Sequence, residues 1–306
     1  MKPTILFLGT PHFAVPILDS LAKNFQVVGV VTQPDRPVGR KLVLTPPPIK
    51  EKAKELGIPV FQPEKASEIP KLLPEKPDFI VTAAYGEYLP TSVLNLPKKD
   101  ALNVHPSFLP NYRGATPMQS ALLNGDMTTG VSIIRMVKEM DAGPIFMQEK
   151  TAMYADEKYP GLETECSKIG ADLITQVIKN YDSITPVPQD NRKATHCKKI
   201  LKEDGLIHWN QETAYDIYNK LRAFTPWPGV YTFYKNQKLS LLDFSVYPSS
   251  TMTNHPPGTV FEFENQILVQ CELFCITLEK VQLAGKNPTD IKSFLNGHPD
   301  FLGTKL

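Results

Sequence analysis

The chain has 306 residues, enough for two domains with a core each, and its 33 Lys plus Arg nearly balance 32 Asp plus Glu, which excludes a global field for nucleic acid and leaves any RNA contact to local patches. Its four cysteines, Cys166, Cys197, Cys271 and Cys275, form no Cys-x-x-Cys pair and have no His at zinc spacing, so they read as idle thiols of a reducing compartment, with no metal. The apolar run at the N-terminus is too short for a signal peptide and no run approaches the ~18 residues that span a bilayer, so a soluble, cytoplasmic monomer with no membrane partner is expected. Residues 4–8 read as a buried strand, 13–22 as a helix with Val15, Leu18, Leu21 and Ala22 at helical spacing, and 26–32 as a second apolar strand. This βαβ pattern predicts an α/β domain with an open, mostly parallel sheet. The turn after the first strand, Gly9-Thr10-Pro11-His12, lacks G-x-G-x-x-G spacing, which argues against a dinucleotide.

Residues 33–50 break the rhythm, with Pro34, Pro37, Pro46, Pro47 and Pro48 among Arg36, Arg40, Lys41 and Lys50. A proline-stiffened basic loop of this length between βα elements is more often functional than connecting, although a solvated loop is the alternative. Residues 51–56 read as helical, 59–61 as a short strand, 66–73 as a weak helix broken by Pro70, and 78–84 as a buried strand. Next comes Asn103-Val104-His105-Pro106-Ser107-Phe108-Leu109-Pro110-Asn111-Tyr112-Arg113-Gly114. On an extended chain residues i and i+2 share a face, so a strand ending at 103–105 aims the Asn103 amide and the His105 imidazole into one crevice. Pro106 and Pro110 stop it where open α/β sheets bind ligands, outside the carboxyl ends of the strands. Met140-Asp141-Ala142-Gly143-Pro144 brings a carboxylate on a second turn. Asn, His and Asp in one crevice suit acyl transfer, with two groups for a developing oxyanion and one to hold the imidazole. A lone Asn-x-His is, by itself, more often structural.

Residues 117–124 read as a helix, 130–136 as a strand, 145–150 as an edge strand and 162–180 as a long helix that closes the first domain. The pattern breaks at Pro186-Val187-Pro188, and residues 191–202 then hold Arg192, Lys193, Lys198, Lys199 and Lys202 with no acid, either a solvated face or an RNA contact. A helix over 210–224 is followed by short alternating segments at 230–234, 238–246, 258–262, 266–271 and 273–282, the pattern of a small barrel or sandwich. Residues 291–296 read as a terminal helix and 301–306 as a tail.

The string Asn-x-His-x-Ser-x-Leu-Pro-x-x-Arg-Gly, with Gly130-Val131 and Met140-Asp141-x-Gly143 after it, resembles the signature of the folate-dependent formyltransferases. The opening Phe7-Leu8-Gly9-Thr10-Pro11-His12-Phe13-Ala14, the segment Gln33-Pro34-Asp35-Arg36-Pro37-Val38-Gly39-Arg40 and the later Arg222-Ala223-Phe224-Thr225-Pro226-Trp227-Pro228-Gly229 narrow the resemblance to the branch that acts on methionyl-tRNA. It implies a Rossmann-like formyltransferase domain over 1–188, a basic linker over 189–208 and an OB-like β-barrel over 209–306 that binds tRNA. It also implies transfer of a formyl group from 10-formyltetrahydrofolate to the α-amine of methionyl-initiator tRNA. Asn103, His105 and Asp141 then stand at the catalytic positions, where Asp141 holds the imidazole and favours its charged form. Ser107, Phe108, Leu109 and Pro110 match the folate-contacting turn, with Phe108 where Leu is usual. Arg36 and Arg40 belong to a loop that reaches the tRNA acceptor arm, and Lys198, Lys199 and Lys202 to a basic linker. Family members often continue with Gly and two Lys after that arginine, where this chain has Lys41-Leu42-Val43. The competing readings are formyl transfer to a small amine such as an amino sugar, hydrolysis of formyl-folate, and an RNA-binding protein on a formyltransferase scaffold.

Overall fold

Runs such as Thr4–Gly9 (TILFLG) and Phe79–Ala83 (FIVTA) carry almost no polar side chain, so they are stable only with both faces covered. In the computed structural model, which describes residues 2–39, 42–247 and 255–306, they are central strands of a seven-stranded sheet. Its strands are β1 Thr4–Gly9, β2 Gln26–Val31, β3 Val60–Phe61, β4 Phe79–Ala83, β5 Asp100–His105, β6 Thr128–Arg135 and β7 Ile145–Ala152. The order across the sheet is β7-β6-β5-β4-β1-β2-β3. Pairings from β3 through β5 are parallel, whereas β6 runs antiparallel to β5, and β7 to β6.

The helices are α1 (Ala14–Asn24), α2 (Pro48–Glu55), α3 (Thr91–Leu94), α4 (Pro117–Leu123) and α5 (Tyr159–Lys179); all but the short α3, which the sequence reading does not predict, fall close to the predicted segments. α1 buries Ala14, Ile17, Leu18 and Leu21, and α5 buries Leu162, Ile169, Leu173 and Val177, each a stripe at helical spacing. The weak helix predicted around Pro70 is a 3-10 turn, Ala66–Lys71. Either side of the undescribed residues 40 and 41, Arg36–Val38 and Val43–Thr45 pair as an antiparallel ribbon, which the prolines of this segment do not suggest. Its base is held by Lys50 Nζ on the Asp35 carboxylate at 2.8 Å and by Gln62 Nε2, which donates to the Gln33 carbonyl and Asp35 Oδ1. Pro48 opens α2 at its first turn, where a missing N–H costs nothing.

The chain forms two compact units, the first comprising residues 1–117, 128–153 and 162–198, the second 118–127, 154–161 and 199–306. The second unit contains α6 (Ala214–Phe224), α7 (Ile291–Gly297) and an antiparallel sheet of β8 (Val230–Tyr234), β9 (Gln237–Tyr247), β10 (Val260–Phe263), β11 (Gln266–Gln270), β12 (Cys275–Leu283) and β13 (Thr289–Asp290). α6 begins in a capping box between Thr213 and Asp216. Its buried Arg222 donates to the carbonyls of Glu157 and Tyr154 at 3.0 and 2.9 Å. The sheet and helices enclose an apolar core that includes Trp209, Ile217, Leu241, Val269, Ile276 and Phe301. Residues 301–306, predicted as a tail, are tied to the edge strand β10: Val260 N–H donates to the Thr304 carbonyl, and Leu306 N–H to Gly258, both at 2.9 Å. An edge strand offers unpaired backbone groups, and this segment occupies them. Among the described residues no helix is long and apolar enough to cross a membrane.

Candidate active site

β5 is pinned at its start. Asp100 takes three hydrogen bonds from Arg135 Nε and Nη2 of β6 at 2.8 to 3.0 Å and one from the Tyr181 hydroxyl. These bonds push the Arg135 guanidinium above its usual pKa, while burial first and Asp100 second push the Tyr181 phenol up. Five residues on, the strand ends with Asn103 opposite Ile134 and His105 opposite Ser132. As the period of two requires, Asn103 and His105 share a face. Asn103 is half-buried and His105 is only 4% exposed.

His105 Nε2 donates to the Tyr112 carbonyl at 3.0 Å. A carbonyl can only accept, so Nε2 carries a proton and Nδ1 is the nitrogen left to face Asp141, whose Oδ2 lies 3.6 Å away. Asp141 Oδ2 also accepts the Gly114 N–H at 2.8 Å, and Oδ1 accepts from Asn103 Nδ2 at 3.3 Å. Asn103, His105 and Asp141 are thus gathered on one carboxylate. Two backbone features make this possible. Asp141 has φ of 51°, in the left-handed region that ordinary residues avoid. At Gly143 a Cβ would run into the Arg135 carbonyl, so only glycine lets the 140–144 turn lie against β6.

The turn after β5 is knitted by its own backbone. Ser107 N–H donates to the His105 carbonyl at 2.9 Å, and the Ser107 hydroxyl donates to the Asn111 carbonyl at 2.6 Å. From β6, the buried Ser132 hydroxyl donates to the Ser107 carbonyl at 2.6 Å and accepts from Leu109 N–H at 3.1 Å. Gln148 Nε2 of β7 donates to the Leu109 carbonyl and to Ser132 Oγ, both at 2.8 Å. The side chains of Ser107 and Leu109 are therefore buried, at 0% and 1% exposure, and shape the turn from inside. Phe108 and Pro110 are half-buried, with Lys150 Nζ 4.7 Å from the Phe108 ring centroid. Of the four positions expected to contact folate, these two are the ones whose side chains are not fully buried.

Residues 189–198 pack onto the same turn. Thr195 Oγ1 accepts the Tyr112 N–H at 2.8 Å, and His196-Cys197 pairs in parallel with Arg113-Gly114. The buried Arg113 donates from Nε and Nη2 to Gln189 Oε1 at 3.1 and 2.8 Å, and from Nη2 to Asn191 Oδ1 at 2.8 Å. Gln189 Nε2 in turn donates to the carbonyls of Asp141 and Gly143 at 2.8 and 2.7 Å. Sequence reasoning assigns no role to Ser132, Gln148 or Gln189; only the β5–β6 register, which sets Ser132 opposite His105, marks any of them. Lys198, Lys199 and Lys202 are exposed, as is Arg36, whose Nη2 lies 3.4 Å from Gln33 Oε1. Arg40 lies outside the described residues.

Residues 1–178 match the formyl transferase family and residues 199–299 its C-terminal domain. The chain belongs to the formyl transferase family. Within this family it is 41% identical over 299 residues to the methionyl-tRNA formyltransferase of Listeria innocua, covering 96% of this chain and 95% of the relative. It is 38% identical over 310 residues to that of Staphylococcus aureus, covering 99% of both. Among solved structures, the sugar 3N-formyl transferase WlaRD superposes with a TM-score of 0.66 at 17% identity, over 94% of this chain and all of that one. HypX from Aquifex aeolicus in complex with tetrahydrofolic acid superposes at 0.64 and 17% identity, over 99% of this chain and 48% of HypX. Likeness at that level speaks for the formyltransferase fold, an α/β sheet followed by an antiparallel β domain.

Proposed function

We propose that this chain is a methionyl-tRNA formyltransferase, which moves the formyl group of 10-formyltetrahydrofolate to the α-amine of methionyl-initiator tRNA for translation initiation. The observation that carries the reading is the meeting of Asn103, His105 and Asp141 at the end of β5, in a chain with full-length relatives of that activity. 10-Formyltetrahydrofolate supplies an activated formyl group. The Ser107 to Pro110 turn suits it, because it follows the cluster directly in the chain and Phe108 and Pro110 keep apolar side chains partly accessible.

The substrate brings its own nucleophile, an α-amine with a pKa near 8, so no serine or cysteine is required. Its nitrogen bonds to the formyl carbon, the bond from that carbon to the folate nitrogen breaks, the amine loses a proton and the departing nitrogen gains one. Asn103 Nδ2 has two protons and gives one to Asp141, leaving the other for the oxyanion that develops. His105 works through Nδ1, because Nε2 is committed to Tyr112; it stabilises the same charge and delivers the proton to the departing nitrogen. Asp141 orients that imidazole and receives the amine proton through water. Arg36, Arg40, Lys198, Lys199 and Lys202 contact tRNA, with residues 1–188 as the catalytic domain, 189–208 as the basic linker and 209–306 as the tRNA-binding domain. The enzyme acts as a cytoplasmic monomer.

Incubating the chain with 10-formyltetrahydrofolate and methionyl-tRNA of initiator or elongator type tests the reading. Formyl-methionine is expected on the initiator. Formylation of an amino sugar with none on tRNA, or release of free formate alone, would replace it.

A further inference from the structure

We propose that Gln189 is a positioning residue for the formyl transfer, fixed by Arg113, and that it acts by holding Asp141 in the left-handed backbone that aims its carboxylate at His105 and Asn103. The inference rests on the function proposed above and assigns this pair a role within it.

A left-handed residue that is not glycine is strained, even where it is the more tolerant Asp, and its surroundings hold it there. At Asp141 the hold is visible. The two N–H groups of the Gln189 amide end on the carbonyls of Asp141 and Gly143, at 2.8 and 2.7 Å, one on each side of Ala142. The opposite end of that amide is fixed as well, because Gln189 Oε1 takes two donors from Arg113, which is only 5% exposed. Burying a guanidinium is expensive, and this one ends on the amide oxygens of Gln189 and Asn191. Such an arrangement contributes little to stability for its cost, but a planar fork fixes an amide in direction as well as position. Arg113 is followed by Gly114, whose N–H donates to Asp141 Oδ2 at 2.8 Å. One short segment therefore sets the carboxylate directly through Gly114 and its backbone indirectly through Gln189. Neither Arg113 nor Gln189 is bonded to His105 or Asn103, so both act through Asp141.

Gln189→Glu separates the two ends of the amide. It keeps an acceptor for Arg113, so folding is retained, but removes the donors and sets a carboxylate against two carbonyls. Formyl transfer to methionyl-tRNA by Gln189→Glu should fall in kcat by about 10–10²-fold, as misplacement of a catalytic group by an ångström or less does, with KM for 10-formyltetrahydrofolate unchanged. Arg113→Lys should fall less, because its ammonium retains the charge and can still donate to Gln189 Oε1, although without the planar fork. Adding Gln189→Glu to Asp141→Asn should cost little beyond Asp141→Asn alone, since the relay then has nothing to position. Amide hydrogen exchange at Ala142 and Gly143 should be faster in Gln189→Glu than in the parent, a readout that needs no activity. Parental kcat in a folded Gln189→Glu, losses that multiply with Asp141→Asn, or unchanged exchange at Ala142 and Gly143 would each overturn the proposal. A parent chain that transfers no formyl group would overturn the functional reading instead, and the exchange measurement would still decide whether Gln189 holds the turn.

Discussion

One carboxylate organises the cluster: Asp141 accepts from Asn103 and Gly114 and lies 3.6 Å from His105 Nδ1. In the proposed reaction Asn103 and His105 stabilise charge that exists only as the formyl carbon becomes tetrahedral, so their removal should act on kcat far more than on binding. Asn103→Ala and His105→Ala are each expected to lower kcat by about 10²–10³-fold, the loss typical of one oxyanion donor, with folate affinity measured by fluorescence titration retained. The double change His105→Ala with Asp141→Asn should cost little more than the worse single change, since Asp141 works largely by orienting that ring. Losses that multiply would instead mean that Asp141 acts independently of His105. Much of this was open to sequence reasoning. An i, i+2 pair on a strand stopped by proline is a local pattern, and Asp141 follows from the family motif. Gln189 is different: it reaches Asp141 across 48 positions, and a glutamine after Pro-x-Pro carries no local mark of such a bond.

The strands that position the site are legible in their apolar runs, but their order and direction are not. Nothing in Thr128–Arg135 says that it runs antiparallel to β5; what requires it is that Asp100 at the start of β5 meets Arg135 at the end of β6. The ribbon at Arg36–Val38 and Val43–Thr45 is hidden by its prolines, because its order comes from Asp35, Lys50 and Gln62 at its base. A similar carboxylate joins β1 to β4. Asp78 accepts from the Thr4 N–H at 2.8 Å and the Thr4 hydroxyl at 2.9 Å, and these bonds, the backbone one first, hold its pKa below the usual carboxylate range. A carboxylate whose folded pKa is depressed stabilises the fold above its unfolded value, near 3.8, and that contribution is lost as pH falls through the folded pKa. Asp78→Asn should therefore be less stable than the parent at pH 7, by about 1–2 kcal/mol for bonds to a charged acceptor. In urea denaturation the gap should close as pH drops below 3.8, where the parent also becomes neutral. A gap independent of pH would mean that the altered geometry, and not the charge, carries the effect.

Taken whole, the molecule has a formal charge of only +1, so long-range attraction cannot account for binding a polyanion such as tRNA. The attraction has to come from places where cations stand without acids. Arg192 is a weak candidate, because it is paired with Asp190 at 3.0 Å. Lys198, Lys199 and Lys202 are exposed within five residues of one another. In the β domain Lys238 lies 3.8 Å from the Tyr231 ring centroid and its pKa is lowered, first by burial and then by repulsion from Lys202. Each lysine that neutralises a phosphate releases condensed counterions, which makes the logarithm of the binding constant fall with the logarithm of salt concentration. Replacing Lys198, Lys199 and Lys202 with Ala should flatten that slope by roughly 0.7–0.9 for each phosphate left without its lysine, and weaken initiator and elongator tRNA alike, since bonds to phosphate carry no sequence information. Turnover at saturating tRNA should hold, because none of the three bonds to the cluster around Asp141. Filter binding of tRNA over a salt series of roughly 50–200 mM measures the slope, and an unchanged slope in the triple variant would return these lysines to the role of a solvated surface.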